Sequence, residues 1–175
     1  ARPSETEKLL GTWSRTVWDI GRDFGTIGAH KHGLTVEITT YRRDSYEIGS
    51  RKPEVDYGDS LEGDLTRRDF TVNAMALRLP EKVLVDPCGG LDDLVAGVLQ
   101  TPVTARQSFD DDPLRILRAA RFTSQLGFDV SEDVMNAMGE MAERLSIVSA
   151  ERVRAEFERL MISAEPRRGI ELMVY

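Results

Sequence analysis

Residues 110–122 read Asp110-Asp111-Asp112-Pro113-Leu114-Arg115-Ile116-Leu117-Arg118-Ala119-Ala120-Arg121-Phe122, and the character of the chain turns on this stretch. Proline suits the first turn of a helix, where its missing N–H loses no partner. The aspartates before it favour the positive end of the helix dipole. Behind them Leu114, Ile116, Leu117, Ala119, Ala120 and Phe122 make a broad apolar surface. At about 100° per residue, Asp111, Asp112, Arg115 and Arg118 project from the other face, with Arg121 at its edge. The spacing predicts helices over residues 110–126, 131–145, 149–163 and from Pro166 onward, each behind an acidic, serine or proline start.

Upstream the pattern is mixed. Ser4-Glu5-Thr6-Glu7 fits a capping box opening a short helix, with Leu9, Leu10 and Trp13 as its apolar face. Residues 24–29 and 34–41 read as strands joined by a turn at His30-Lys31-His32-Gly33. Residues 42–60 are polar, and Gly49, Pro53 and Gly58 break any period. That is a long loop, and loops beyond about 12–15 residues are usually functional. Residues 65–79 read as helical through Phe70-Thr71-Val72-Asn73-Ala74-Met75-Ala76. Val83-Leu84-Val85-Asp86-Pro87 reads as a strand ended by proline, and Gly89-Gly90 turns the chain into a short helix at 91–95. The chain is therefore mixed α/β first and all-helical after about residue 106.

Composition bounds the possibilities. The 175 residues, 41% of them apolar and 30% charged, suit one core, or one domain with part of a second. A net charge of -7 argues against a general nucleic-acid coat, which needs clustered positive charge, and leaves room for a local basic groove. Of the 23 basic residues only Lys8, Lys31, Lys52 and Lys82 are lysines. The rest are arginines, whose planar fork suits phosphates and base edges. The single cysteine, Cys88, excludes an internal disulfide and a multi-cysteine zinc site. No apolar run approaches the ~18 residues of a membrane span, and no signal peptide opens the chain, so the cytoplasm is the expected location. Trp13 and Trp18 are expected in the core, and His30 and His32 in a turn.

Two segments carry chemistry. Asp112 and Arg115 stand at i and i+3, so their tips can lie side by side. The plainest reading is a solvated helix face with ordinary ion pairs. A sharper one follows from hydrogen-bond inventory: a carboxylate only accepts and a guanidinium only donates. Cytosine and adenine both set an exocyclic amine beside a ring-nitrogen acceptor, so a rigid Asp/Arg pair matches both. Guanine and uracil place a carbonyl where the amine would be. Arg118 and Arg121, further along, could hold phosphates. In the second segment, Asp64-Leu65-Thr66-Arg67-Arg68-Asp69-Phe70-Thr71-Val72-Asn73-Ala74-Met75-Ala76, the plain reading is a capped helix with surface arginines. The functional one gives triphosphate to Arg68 and ribose hydroxyls to Asp69 or Asn73.

Residues Arg67-Arg68-Asp69-Phe70-Thr71-Val72-Asn73-Ala74-Met75-Ala76 resemble the ribose-recognition motif of the class II tRNA nucleotidyltransferases, the CCA-adding enzymes, and of their relatives the bacterial poly(A) polymerases. Residues 111–122 resemble the base-recognition motif of that family, with Asp111 where the family has Glu. Leu84-Val85-Asp86-Pro87 with Gly89-Gly90-Leu91-Asp92-Asp93-Leu94 is similar to the connecting segment, and Ser149-Ala150-Glu151-Arg152-Val153 to the neck motif. The likeness covers roughly residues 20–165.

The resemblance implies an α/β head over 1–105, a partial nucleotidyltransferase fold with a mixed sheet and flanking helices, followed by an all-α neck over 106–175. No stop signal precedes Tyr175, so the chain is expected to continue into helical tRNA-binding regions. The implied reaction is template-independent transfer of CMP and AMP from CTP and ATP to the tRNA 3′ end. By the resemblance, Asp112 and Arg115 read the base edge, Arg68, Arg118 and Arg121 hold the triphosphate, and Asp69 with Asn73 the ribose. Val36-Glu37-Ile38-Thr39-Thr40-Tyr41-Arg42 resembles the strand supplying one metal-binding carboxylate, here Glu37, to two magnesium ions. The family's Asp-x-Asp pair and its Gly-Gly-x-x-Arg-Asp turn do not occur in residues 1–36, so this chain alone is expected not to add nucleotides. Residues 41–57 occupy the place of the family's flexible loop, and Arg51-Lys52-Pro53-Glu54-Val55 resembles its end. Two rivals stay open: a bacterial poly(A) polymerase, and a non-catalytic RNA-binding module that reuses the head.

Overall fold

A computed structural model describes residues 2–45, 54–58 and 60–174. The chain packs as two compact units, Ala1–Asp64 and Leu65–Tyr175.

The first unit opens with α1 (Pro3–Trp13). Its cap lies two residues earlier than Ser4. Pro3 takes the first helical position, Arg2 is the N-cap, and Glu5 accepts the Arg2 N–H at 2.9 Å. Proline decides this, because its fixed φ is already helical. Three strands follow: β1 (Thr16–Trp18), β2 (Thr26–Lys31) and β3 (Leu34–Thr39), antiparallel in the order β1-β2-β3. The expected hairpin is β2–β3, with a tighter turn. Lys31 pairs with Leu34, leaving His32 and Gly33 as a two-residue loop at φ 50° and 80°. Positive φ at both positions matches the twist of the flanking strands. Leu10, Ile27 and Ala29 form the core, with Trp13, Val17 and Val36 packed against it. β1 was not expected; three residues are too few to show a period.

Within the expected 42–60 loop, β4 (Arg42–Ser45) and β5 (Glu54–Tyr57) pair antiparallel. Backbone pairing satisfies N–H and C=O groups whatever the side chains, so polar composition hid these strands. Gly49 and Arg51-Lys52-Pro53 lie outside the described residues.

The helix α2 (Leu61–Thr66) leads into the second unit. The expected helix over 65–79 is overturned. After α2 the chain is extended at Phe70, makes one 3-10 turn at Thr71–Asn73, and enters β6 (Ala76–Arg78), paired antiparallel with β7 (Val83–Val85). β-branched Thr71 and Val72 weaken helix. The Asp69 carboxylate takes the Phe70 N–H at 2.9 Å, offering the backbone a local alternative. The short helix at 91–95 is borne out as α3 (Gly90–Ala96).

Then come β8 (Val98–Leu99), α4 (Ala105–Asp111), α5 (Leu114–Leu126), β9 (Asp129–Val130), α6 (Glu132–Met141), α7 (Ala150–Met161) and α8 (Pro166–Val174). β8 and β9 form a two-residue parallel pair that no sequence period announces. The helix expected over 110–126 is two helices. Asp112 is extended at φ -146°, ψ 99°, because the residue before proline is kept out of the helical region.

Helix α5 also departs from the one-sided picture. Arg115 and Arg121 are buried along with its apolar residues, because α4, α7 and α8 pack around it. A helix enclosed on most sides needs partners for its charges. The core of this unit joins Phe70, Leu99, Ala105, Phe109, Ile116, Ala119, Val134, Ala137 and Met138. No helix among the described residues is long and apolar enough to cross a membrane.

Candidate functional site

The two arginine-rich segments meet. Arg115 is 9% exposed. It donates to Ser108 Oγ at 2.8 Å and to the Arg67 carbonyl at 2.6 Å. One turn on, Arg118 Nε donates to Asp69 Oδ2 at 2.8 Å. Asp69 Oδ1 accepts from the Phe70 N–H and from Asn73 Nδ2 at 3.1 Å. Arg68 Nη1 donates to the Asn73 carbonyl at 3.1 Å. Arg68, Asp69, Asn73 and Arg118 therefore form one network, and Arg115 bonds the chain just ahead of it at the Arg67 carbonyl.

Chemistry follows from this wiring. Asp69 already accepts from three partners, so its carboxylate is an organiser with little spare capacity. By taking the Asn73 amide N–H, it turns Asn73 Oδ1 away as an acceptor. Arg118, with 32% of its side chain exposed, remains open to an anionic ligand.

Asp112 and Arg115 do not bond through their side chains. Asp112 Oδ1 accepts the Leu114 N–H at 3.2 Å, and Oδ2 pairs with Arg152 Nη2 at 2.9 Å. The extended backbone at Asp112 removes the helical i,i+3 relation, so the two tips go to different partners. Arg121 stands apart from the network. Its Nε pairs with Glu156 Oε2 at 2.6 Å, Nη1 donates to Gln125, and its guanidinium lies 3.9 Å from the centre of the Phe122 ring.

Glu37 lies on β3 in the first unit, exposed, opposite Gly28. Trp18 covers Gly28 so closely that a Cβ there would meet the indole at 2.2 Å. Trp18 thus lies on the sheet face opposite the core, contrary to the expectation that it is a core residue. Among the described residues no group of three His, Cys, Asp or Glu side chains could hold a metal ion. Glu37 supplies a single carboxylate, so the described residues do not by themselves fit a two-ion site.

Sequence reasoning missed the supporting partners. Ser108, Arg152 and Glu156 come from other helices, and no local period connects them to α5. Asp86 had a visible signal, an Asp ahead of a Gly-Gly turn. It accepts the Gly90 N–H at 2.8 Å and the Leu91 N–H at 2.9 Å. These backbone donors, Leu91 foremost, hold its carboxyl below the ordinary carboxylate range. Burial pushes the nearby Cys88 thiol up, and the Asp86 charge adds to this.

Residues 1–100 match the Poly A polymerase head domain. The chain belongs to that family. In this poly A polymerase head domain chain, residues 127–175 further match a second family described as "Probable RNA and SrmB- binding site of polymerase A". The CCA-adding enzyme of Bacillus subtilis (strain 168) is 41% identical over 175 residues, covering 99% of this chain and 43% of the relative. That of Leuconostoc mesenteroides subsp. mesenteroides is 40% identical over 167 residues, 95% of this chain and 41% of the relative. The crystal structure of the Bacillus stearothermophilus CCA-adding enzyme in complex with CTP superposes with TM-score 0.87 at 32% identity, covering 99% of this chain and 40% of that one. A tRNA nucleotidyltransferase complexed with a primer tRNA and an incoming ATP analog gives TM-score 0.79 at 30% identity, over 98% and 48%. The poly A polymerase head domain chain thus spans about two fifths of the length of the curated relatives it matches.

Proposed function

We propose that the whole protein adds CMP and AMP, from CTP and ATP, to the 3′ end of tRNA without a nucleic-acid template. The observation that carries this is the junction of two segments about forty residues apart. Arg115 reaches the Arg67 carbonyl and Arg118 reaches Asp69. Arg115 of the base-edge pair, Asp69 and Asn73 for the ribose, and Arg68 and Arg118 for the phosphates are thereby linked. Asp112 and Arg121 bond instead to Arg152 and Glu156. The names of the two relatives, both CCA-adding enzymes at 40% and 41% identity, support the same reading.

In this reading the tRNA 3′-hydroxyl attacks the α-phosphate and releases its proton to solvent; the new phosphodiester bond forms as the α–β phosphoanhydride bond breaks and pyrophosphate leaves. Arg68 and Arg118 offset charge on the triphosphate, where fixed donors act without reorganisation. Asn73 Oδ1, oriented by Asp69, accepts from a ribose hydroxyl. Asp112 and Arg115 read the base edge, each steadied by its own partner, Arg152 and Ser108. Arg121 serves the triphosphate through the seating of α5, which it fastens to Glu156. Glu37 would supply one carboxylate to magnesium if the whole protein brings the further ligands, and the ion would offset charge on the phosphates. The functional division falls at residues 1–105 and 106–175, which the matched ranges 1–100 and 127–175 support. The cytoplasm is the proposed location, in keeping with a tRNA substrate.

Titration with the four nucleoside triphosphates tests the reading. CTP and ATP should bind about tenfold or more tightly than GTP and UTP, the effect of one well-placed polar contact. Asp112→Ala and Arg115→Ala should each erase that preference. Equal affinity for all four bases in the unaltered chain would remove the base-reading assignment. Binding of ATP with rejection of CTP would favour a poly(A) polymerase.

A further inference from the structure

We infer that Thr71, Asp93 and Gly90 form a clamp that positions the Asp69–Asn73 turn and thereby sets the preference for ribonucleotides over 2′-deoxyribonucleotides. The inference rests on the reading of Asn73 as the ribose acceptor.

Thr71 lies midway between Asp69 and Asn73 and is 2% exposed. All its polar groups are committed. Its N–H donates to the Gln100 carbonyl at 2.8 Å, and its Oγ1 donates to Asp93 Oδ2 at 2.6 Å. Its carbonyl accepts the Ala74 N–H at 2.8 Å and lies against Gly90, where a Cβ would come within 2.1 Å of that oxygen. Two of these contacts come from α3, outside the turn. α3 is itself fixed at its start by Asp86, which takes the N–H groups of Gly90 and Leu91.

The need for a clamp is physical. A single 3-10 turn between an extended residue and a strand has no helical ladder to hold it. Asp69, Asn73 and Arg68 secure the turn to itself and to α5, yet Asn73 and Arg68 are also the groups assigned to the nucleotide. Thr71 points the other way, into the protein, so it can hold the turn without competing for nucleotide. Recognition of one hydroxyl tolerates errors of about 0.5 Å, so the accuracy of Asn73 depends on the anchoring of Thr71. Thr71 and Asp93 are positioning residues in this sense; neither is assigned a contact with the nucleotide.

The test compares ATP with 2′-deoxy-ATP by titration calorimetry on the 175-residue chain, with thermal melting as a folding control. The unaltered chain should favour ATP by about tenfold, one hydroxyl hydrogen bond. Asn73→Ala should bring the ratio near one. Thr71→Val, which keeps the shape and removes the hydroxyl, should reduce the ratio several-fold. Asp93→Ala and Gly90→Ala should do likewise. Thr71→Ser should restore it, because the hydroxyl returns. No preference in the unaltered chain, or an unchanged ratio in Asn73→Ala, would overturn the ribose reading and the clamp's role with it. Loss of the preference in Asn73→Ala with an undiminished ratio in folded Thr71→Val and Asp93→Ala would overturn the clamp alone. If Thr71→Val does not fold, Thr71→Ser and Asp93→Ala decide the matter by the same ratios.

Discussion

Arg121 shows how far burial changes the meaning of a charged residue. Its side chain and that of Glu156 are 9% and 4% exposed, and they meet at 2.6 Å. Removing one member of such a pair costs about 3–5 kcal/mol when the charge left behind has no other partner. Glu156 keeps the exposed Arg159, at 3.2 Å from its other oxygen, so the loss on removing Arg121 falls toward the lower end. Urea unfolding of Arg121→Ala should show a loss in that range. The double variant Arg121→Met with Glu156→Leu should lose much less, because no orphan charge remains. Equal losses in the two would mean that packing dominates. The existence of these arginines was readable at residues 115, 118 and 121, as was their spacing on one helix. Their partners were not. Arg121 meets a residue 35 positions away and Arg118 one 49 positions away, and such pairings leave no trace in local periodicity.

Element α3 is held by its capping carboxylate. Asp86 lies below its ordinary range because backbone N–H groups bond its charged form. A depressed carboxyl stabilises the fold fully above its unfolded pKa, about 3.9. That contribution is lost as pH falls through the lower folded value. The stability gap between the unaltered chain and Asp86→Ala should therefore be constant from neutral pH down to about pH 5 and narrow below about pH 4. Denaturation midpoints at several pH values check this, and a gap that widens in acid would contradict it. Strands and helices with clear punctuation, such as β7 before Pro87 and α3 after Gly89, were legible in the sequence. The segment 67–76 was not, because its mixed apolar pattern fits a helical period. The bonds at Asp69 and Thr71 help hold it as a turn, and pairing with β7 draws its end into a strand.

For the molecule as a whole, the core of the second unit links the candidate site to the helices around it. Phe70 follows Asp69 directly and is fully buried, in one cluster with Phe109 and Ile116. Phe109→Ala should cost about 3–5 kcal/mol, the usual result of opening a cavity under an aromatic ring. In native-state hydrogen exchange, protection should fall at both Phe70 and α5; a loss confined to α4 would show the two segments to be independent. Composition changes near residue 106, whereas packing divides the chain at Asp64 and Leu65. The sequence by itself determined the residue types at the candidate site, the order of its two motifs, the family, the β2–β3 hairpin and the longer helices of the second unit, because these depend on local chemistry and spacing. Only the tertiary structure decided that Asp112 turns to Arg152, that Arg121 turns to Glu156, and that the ribose segment is not helical. Each of these is a competition for hydrogen-bond partners, settled by residues that come close only when the chain is folded.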